Sequence, residues 1–339
     1  MLSLNSAHRR RTIDIHSHFV PQSAVGPAEN GDLWHGIQFG RSARGKITSS
    51  VGALSQELPW PTPIETPQFR LLTLDAMGID LQIVSLSPTF YWYSTSSQDA
   101  SAFARASNDD LAGMIETAPD RFAGLGYLPL QDVDRSIAEL ERCMLVHQFP
   151  GVMVGTNVNG LDWDDAGLLP VLQAAERLGA VVYFHPSRVR AAPFLKRFHF
   201  SNIIGNPLET TIALGSLIFG GVFDRLPALK TCFAHGGGYG VFGVGRMDYG
   251  HKVRPEASGI DHMPSEYLRC CWFDTITHSE MGLRQVMDIV GADRVLMGSD
   301  YPADMGDPDP VGFVKGCASL TAAEKADVLG ATAQRLFGL

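Results

Sequence analysis

Eight short apolar runs, spread along the 339-residue chain and separated by helical patterns, constrain its fold more than any other feature. They are Thr12–Ile15, Leu81–Leu86, Phe122–Tyr127, Val152–Gly155, Ala180–Phe184, Leu229–Ala234, Cys271–Asp274 and Val295–Gly298. Helical periodicity between them is clearest over Thr66–Met77, Asp99–Thr117, Val133–His147, Asp165–Leu178 and Glu280–Val290. Val181-Val182-Tyr183-Phe184 is apolar on both parities, as in a strand covered on both faces. Strands alternating with helices make a parallel sheet, and eight of them close a (β/α)8 barrel. A doubly wound open sheet is the competing architecture. Its dinucleotide-binding form is disfavoured, because no Gly-x-Gly-x-x-Gly follows the first run. Barrels of this class routinely reach such a length as one domain, so 1–339 is read as a single unit.

Residues 20–66 break the rhythm. They are rich in Gly, Ser and Pro, including Pro59, Pro61 and Pro63, with Pro67 just beyond. A long departure inside a compact domain is usually functional or separately folded. This one follows the first strand, so it begins at the barrel mouth and is expected to form an inserted flap over the site. A surface excursion that only helps packing is the alternative.

Composition removes several classes of function. A net charge of -9 does not suit a nucleic-acid backbone. No apolar stretch approaches the length of a membrane span. Met1–Arg11 carries Arg9, Arg10 and Arg11 without an apolar run behind them, and reads as a ragged N-terminus rather than a secretory signal. The 5 cysteines are odd in number and form no Cys-x-x-Cys, which disfavours a disulfide scaffold and a thiolate zinc site. A reducing, cytoplasmic setting is expected.

The chemistry gathers at the ends of the apolar runs. In Ile13-Asp14-Ile15-His16-Ser17-His18 the side chains of His16 and His18 project from a strand the same way. Two nitrogen ligands of one metal would stand like this, although one His-x-His among 11 histidines arises readily by chance. His185 follows Val181–Phe184, His235 follows Thr231–Ala234, and Asp300 follows Val295–Gly298. In a barrel those C-terminal ends share the face where the chemistry sits. Imidazoles with a carboxylate suit zinc first, and also manganese or iron. A metal held so lowers the pKa of a bound water toward neutrality, and a general acid or base must stand beside it. His235 is the candidate; a supporting hydrogen-bonded histidine is the alternative. Gly236-Gly237-Gly238 behind it would let backbone or substrate come close. Asp14, on the parity of His16, could orient an imidazole, but reads better as a structural polar group. Arg246 and Arg254 lie eight residues apart, a little over two helical turns. Their guanidinium forks suit carboxylates, and solvated surface charge is the alternative. His8, His35, His147, His199, His251, His262 and His278 lack such a context and read as structural or exposed.

The constellation resembles the amidohydrolase superfamily, in its branch typified by aminocarboxymuconate-semialdehyde decarboxylase. The likeness runs from Ile13 to Leu339. It is carried by Ile13–Pro21, Ser107–Ala112, Pro150–Val152, Gly220–Phe223, Phe233–Gly238, Val244–Arg246, Arg254-Pro255 and Asp300–Pro302. The resemblance implies a distorted (β/α)8 TIM barrel with one catalytic metal, usually zinc, and no organic cofactor. It makes His16, His18, His185 and Asp300 the ligands and His235 the catalytic histidine that helps activate metal-bound water. It makes Arg254 a substrate-carboxylate contact within the subunit and Arg246 one lent by a neighbouring subunit, in a homodimer. The implied reaction is non-oxidative loss of carbon dioxide from an unsaturated or aromatic carboxylic acid, in the catabolism of aromatic compounds.

The departures surround the substrate. Lys46 is the match for the family's flap lysine, but no arginine matches near Trp60, where Gln56 and Glu57 stand. Ser187 replaces the tryptophan expected after His185-Pro186, and Ala303 replaces the phenylalanine expected after Asp300-Tyr301-Pro302. Both changes enlarge the pocket. A hydrolase or hydratase acting with the same metal on a lactone, amide, diketone or double bond is therefore the competing function. A catalytically silent binding protein on a barrel scaffold is the third, disfavoured by retention of the full set.

Overall fold

The computed structural model describes residues 11–58 and 66–339. His8, Arg9, Arg10, Pro59, Trp60, Pro61 and Pro63 lie outside the described residues.

The first strand, β1 (Ile13–Phe19), leads into helix α1 (Gln22–Asn30) and four short strands, β2 (Leu33–Trp34), β3 (Ile37–Arg41), β4 (Ile47–Val51) and β5 (Leu54–Glu57). These four pair in chain order as an antiparallel meander. The insertion is thus a folded unit with apolar anchors. Ile37, Phe39 and Ile47 are buried, Phe39 lies against Phe90, and Trp34 meets Phe103 edge to face at 5.1 Å. Gly31, Gly36, Gly45 and Gly52 all take positive φ at its turns, where a side chain would be strained.

The barrel strands follow: β6 (Leu81–Leu86), β7 (Phe122–Gly126), β8 (Gly151–Gly155), β9 (Val181–His185), β10 (Lys230–Phe233), β11 (Cys271–Asp274) and β12 (Val295–Leu296). With β1 they form one eight-stranded sheet in sequential order, every pair parallel. Ser17 bridges Tyr301 in parallel, and the Ile15 N–H donates to the Met297 carbonyl at 2.9 Å, so the last strand returns to the first. This is a distorted (β/α)8 barrel. The expected strand Val295–Gly298 is regular only to Leu296. Beyond it, Met297 N–H bonds Val328 and Gly298 N–H bonds the Thr275 hydroxyl, which breaks the ladder and leads the chain to Asp300.

The strands are covered on both faces, as their composition requires. Every residue of β9 is buried, and Ile13 and Ile15 are fully so. The helices start where their signals stand. α2 (Pro67–Met77) has Pro67 in its first turn and a Thr66 hydroxyl accepting the Phe69 N–H. α3 (Ser97–Glu116) and α4 (Val133–Leu145) are capped by Ser96 and Asp132 in the same way. α5 (Leu169–Leu178) begins four residues later than its periodicity suggests, at Leu169-Pro170. Pro170 supplies no N–H, which only the first turn tolerates. α6 (Asn206–Phe219), α7 (Val222–Arg225) and α8 (Val244–Val253) complete the arc around β10. No helix among the described residues is long and apolar enough to cross a membrane.

Candidate active site

His16, His18, His185 and Asp300 meet at the mouth, with ligand atoms all within 4.8 Å of one another. His16 Nε2 lies 3.2 Å from His18 Nε2, and Asp300 Oδ1 lies 3.0 Å from His18 Nε2 and 3.2 Å from His16 Nε2. The outer hydrogen bonds fix which nitrogen carries the proton. His16 Nδ1 faces Asp274 Oδ2 at 2.6 Å. His18 Nδ1 faces the Ser85 hydroxyl at 3.1 Å, and that hydroxyl already donates to the Ser17 carbonyl. His185 Nδ1 faces the Pro186 carbonyl at 2.8 Å, which can only accept. Each Nδ1 therefore donates outward and each neutral ring turns its Nε2 lone pair inward. His185 Nε2 is buried with no partner at all. Three lone pairs and a carboxylate oxygen converge with no donor between them, so the donor set fits a divalent cation.

Electrostatics agree. Burial opposes charge on every ring. At His16 the carboxylates of Asp300 and Asp274 overcome it and hold the pKa at about 10. Burial prevails at His18, which falls to about 4, and at His185, which falls well below its usual 6.5. The cluster demands positive charge but can hold it as a proton on one ring only.

Asp274, at the end of β11, is the residue missed by sequence reasoning. Its Oδ2 accepts from His16 Nδ1 and from the Tyr183 hydroxyl at 2.8 Å. Its Oδ1 accepts from the backbone N–H groups of Gly236 at 2.8 Å and Ile276 at 3.1 Å. One carboxylate thus orients a ligand and anchors the loop that carries His235. Burial raises its pKa, but the His16 contact outweighs it and the group stays ionised. Asp14 takes the structural role. It accepts from the His16 and Ser299 backbone N–H groups, the Ser299 hydroxyl and Gln82, tying β1 to the segment that presents Asp300.

His235 Nε2 stands 3.9 Å from Asp300 Oδ2, and its Nδ1 is buried without a partner. His235 and Asp300 both take φ 57°, a left-handed conformation that non-glycine residues seldom occupy. The glycines after His235 serve close backbone packing. A Cβ on Gly238 would lie 2.1 Å from the Pro207 carbonyl, and one on Gly237 would meet the Phe273 ring at 2.8 Å.

Two cavities flank the cluster. One of about 280 Å³ opens on His235 and Asp300 and is lined by Asn202, Asn206, Tyr239 and His278. His278, read from sequence as structural or exposed, belongs to this wall. The other, of about 360 Å³, reaches His18 beside Arg70, Pro302 and Ala303, with Asp109 and Asp110 on its wall. An acidic pair disfavours a carboxylate there, so the cavity at His235 is the better substrate site. Arg246 and Arg254 are exposed on and just after α8, with Arg254 paired to Glu256 at 2.9 Å. Lys46 is exposed at the β3–β4 turn. None of the three lines either cavity within this chain.

Donors of this kind at the strand ends of a closed barrel define a class of enzyme that works through one bound cation. Whole-chain comparison supplies the particular family. Residues 13–339 match the family model described as Amidohydrolase, and the chain belongs to that family. It is 34% identical over 335 residues to a 2-amino-3-carboxymuconate-6-semialdehyde decarboxylase of Dictyostelium discoideum, covering 98% of this chain and 92% of that protein. It is similar to the crystal structure of 5-carboxyvanillate decarboxylase from Sphingomonas paucimobilis, with a TM-score of 0.81 and 26% identity over 97% of this chain and 99% of that one. A dihydroxybenzoic acid decarboxylase from Polaromonas, solved with bound manganese, shares the fold at a TM-score of 0.75 and 22% identity, over 97% of each chain.

Proposed function

We propose that this protein is a metal-dependent, non-oxidative decarboxylase of an unsaturated or aromatic carboxylic acid. The observation that carries the reading is the inward convergence of three Nε2 lone pairs and Asp300, with His235 3.9 Å from the Asp300 carboxylate. Decarboxylases among the relatives of this chain support the same chemistry.

A cation bound by His16, His18, His185 and Asp300 would act as Lewis acid toward a substrate oxygen and activate water. Zinc suits three imidazoles and one carboxylate, and manganese or iron fits the same donors. The side chains supply the proton transfer. His235 Nε2 faces Asp300 Oδ2, and no fixed partner holds its Nδ1, so it can give or take a proton. A proton delivered to the carbon bearing the carboxylate forms a C–H bond. The C–C bond to the carboxylate then breaks, carbon dioxide leaves, and the electron pair returns to the conjugated system. No redox cofactor is needed for that balance.

The active form is proposed to be a homodimer. α8 buries none of its residues, and Tyr249 and Val253 on it are 66% and 50% exposed. Tyr239 and Phe242 carry the same apolar surface to the rim of the His235 cavity. A second copy seated there would bring its Arg246 toward the substrate carboxylate, with Arg254 assisting within the subunit. Residues 20–66 act as a flap on a single domain spanning 1–339, and their closure would carry Lys46 to the mouth. Cytoplasmic residence accords with the cysteine pattern.

The test is to load purified protein with zinc or manganese and supply muconate semialdehydes and hydroxybenzoates. Loss of carbon dioxide by mass spectrometry is expected. Gain of water would favour a hydrolase or hydratase, and no carbon dioxide from any acid would refute the reading.

A further inference from the structure

Arg188 is a cation without a counter-charge. It lies three residues beyond the ligand His185, on the loop leaving β9 at the mouth. That separation is at most about 10 Å between Cα atoms. Its guanidinium sits over the Trp92 ring at 4.2 Å from the centroid, and the residue is partly buried. No carboxylate among the described residues pairs with it, and its side chain makes no hydrogen bond there. Burial alone lowers its pKa, with no acid to offset the effect. Its neighbour Arg190 differs: it bonds Glu209 at 3.0 Å and Asp162 at 2.8 Å. Burying a charge is unfavourable unless something pairs with it, and a cation–π contact offsets only part of that cost.

The surroundings are donors too. Trp92 Nε1 and Ser187 Oγ are both buried with no partner. Ser187 Oγ is packed near Gly155 and Tyr93, and stands where the family resemblance calls for a tryptophan. The loop is already held in place. The Arg188 carbonyl accepts from Asn157 Nδ2 at 2.9 Å, and Asn157 is bonded in turn to Glu209 at 3.1 Å. A pre-ordered guanidinium beside unpartnered N–H and O–H groups calls for an anion. The flap offers no arginine near Trp60 for that task.

We propose that Arg188, stacked on Trp92, binds a second acidic group of the substrate, distinct from the carboxylate that is lost. The substrate class is then a dicarboxylate, with two acidic groups on one planar conjugated frame. The assignment rests on the decarboxylase reading only for the fate of the first carboxylate. Binding at Arg188 can be measured without turnover.

The matched probes are salicylate and 4-hydroxyisophthalate, which differ by one added carboxylate. Binding to metal-loaded protein is followed by calorimetry. The chain is acidic overall, so a general preference for the more negative acid is not expected. Wild type should bind the dicarboxylate about 10- to 100-fold more tightly. Arg188→Ala and Arg188→Gln should abolish that preference and leave salicylate binding within about twofold, while Arg188→Lys keeps part of it. Thermal unfolding checks that each variant is folded. Equal binding of both acids by wild type, an intact preference in R188A and R188Q, or equal weakening of both acids would overturn the proposal. Carbon dioxide release is measured alongside. A preserved preference without carbon dioxide would refute the decarboxylase reading and leave the Arg188 site standing.

Discussion

Asp274→Asn is the sharpest test of how this barrel holds its ion. The carboxylate accepts four hydrogen bonds: His16 Nδ1 and the Tyr183 hydroxyl at Oδ2, and the Gly236 and Ile276 N–H groups at Oδ1. An asparagine keeps the shape but must turn its NH2 toward one of these pairs. If the amide nitrogen faces Gly236 and Ile276, two buried donors lose their acceptor, a loss of about 2–6 kcal/mol before relaxation. The loop carrying His235 also loses its anchor. If it faces His16, the ring avoids the conflict by moving its proton to Nε2, the atom aimed at the ion. Either way the site is damaged. Partners of metal ligands typically contribute about 10- to 100-fold in affinity, roughly 1.4–2.7 kcal/mol. The assay is competition with a chelator of known affinity, with unfolding of the metal-free proteins in parallel. Tyr183→Phe is the control. It removes one donor but leaves His16 its acceptor, so metal affinity should stay within about threefold. If D274N binds metal as tightly as wild type and unfolds at the same temperature, the claim that Asp274 sets the His16 tautomer is wrong.

Other outcomes follow from the same geometry. His235→Ala should lower carbon dioxide release by about 100- to 10,000-fold while the metal content, read by mass spectrometry, stays at the wild-type level. Co-expressing R246A with H235A should restore part of the activity lost in each, because one mixed site then has both groups; separate inactivity of every combination would argue against a crossing Arg246. Glu324 accepts from the Thr321 backbone N–H and pairs with Arg284, which hold its carboxyl at about 2 against an ordinary 4.5. Its contribution is present above pH 4.5 and lost as pH falls through about 2, so wild type should unfold above Glu324→Gln at pH 7 and the two should converge near pH 2.

What the chain reveals as sequence depends on whether an interaction leaves a local trace. The barrel strands do, because burial on both faces demands continuous apolar runs such as Val181–Phe184. The ligands do, because each ends such a run. The insertion strands do not. At two to five residues, with Ser, Thr and Gly among them, they are too short for alternation to register, and only the glycines at their turns marked them. Asp274 shows a second limit. It ends β11 as His185 ends β9, yet a carboxylate is recognisable as a ligand's partner only once His16, 258 positions away, is beside it. Asp14 shows a third. Strand parity set it with His16 and His18, but β1 shifts register between Asp14 and Ser17, and the carboxylate reaches Ser299 and Gln82. The hardest case is information carried by an absence. Arg188 and Arg190 are two arginines of one loop, indistinguishable by spacing and composition. Folding gives Arg190 two carboxylates and gives Arg188 an aromatic face and no counter-charge. A metal site is written in the residues it contains. A substrate site is written partly in the charge that its residues lack, and that becomes visible only when every neighbour is in place.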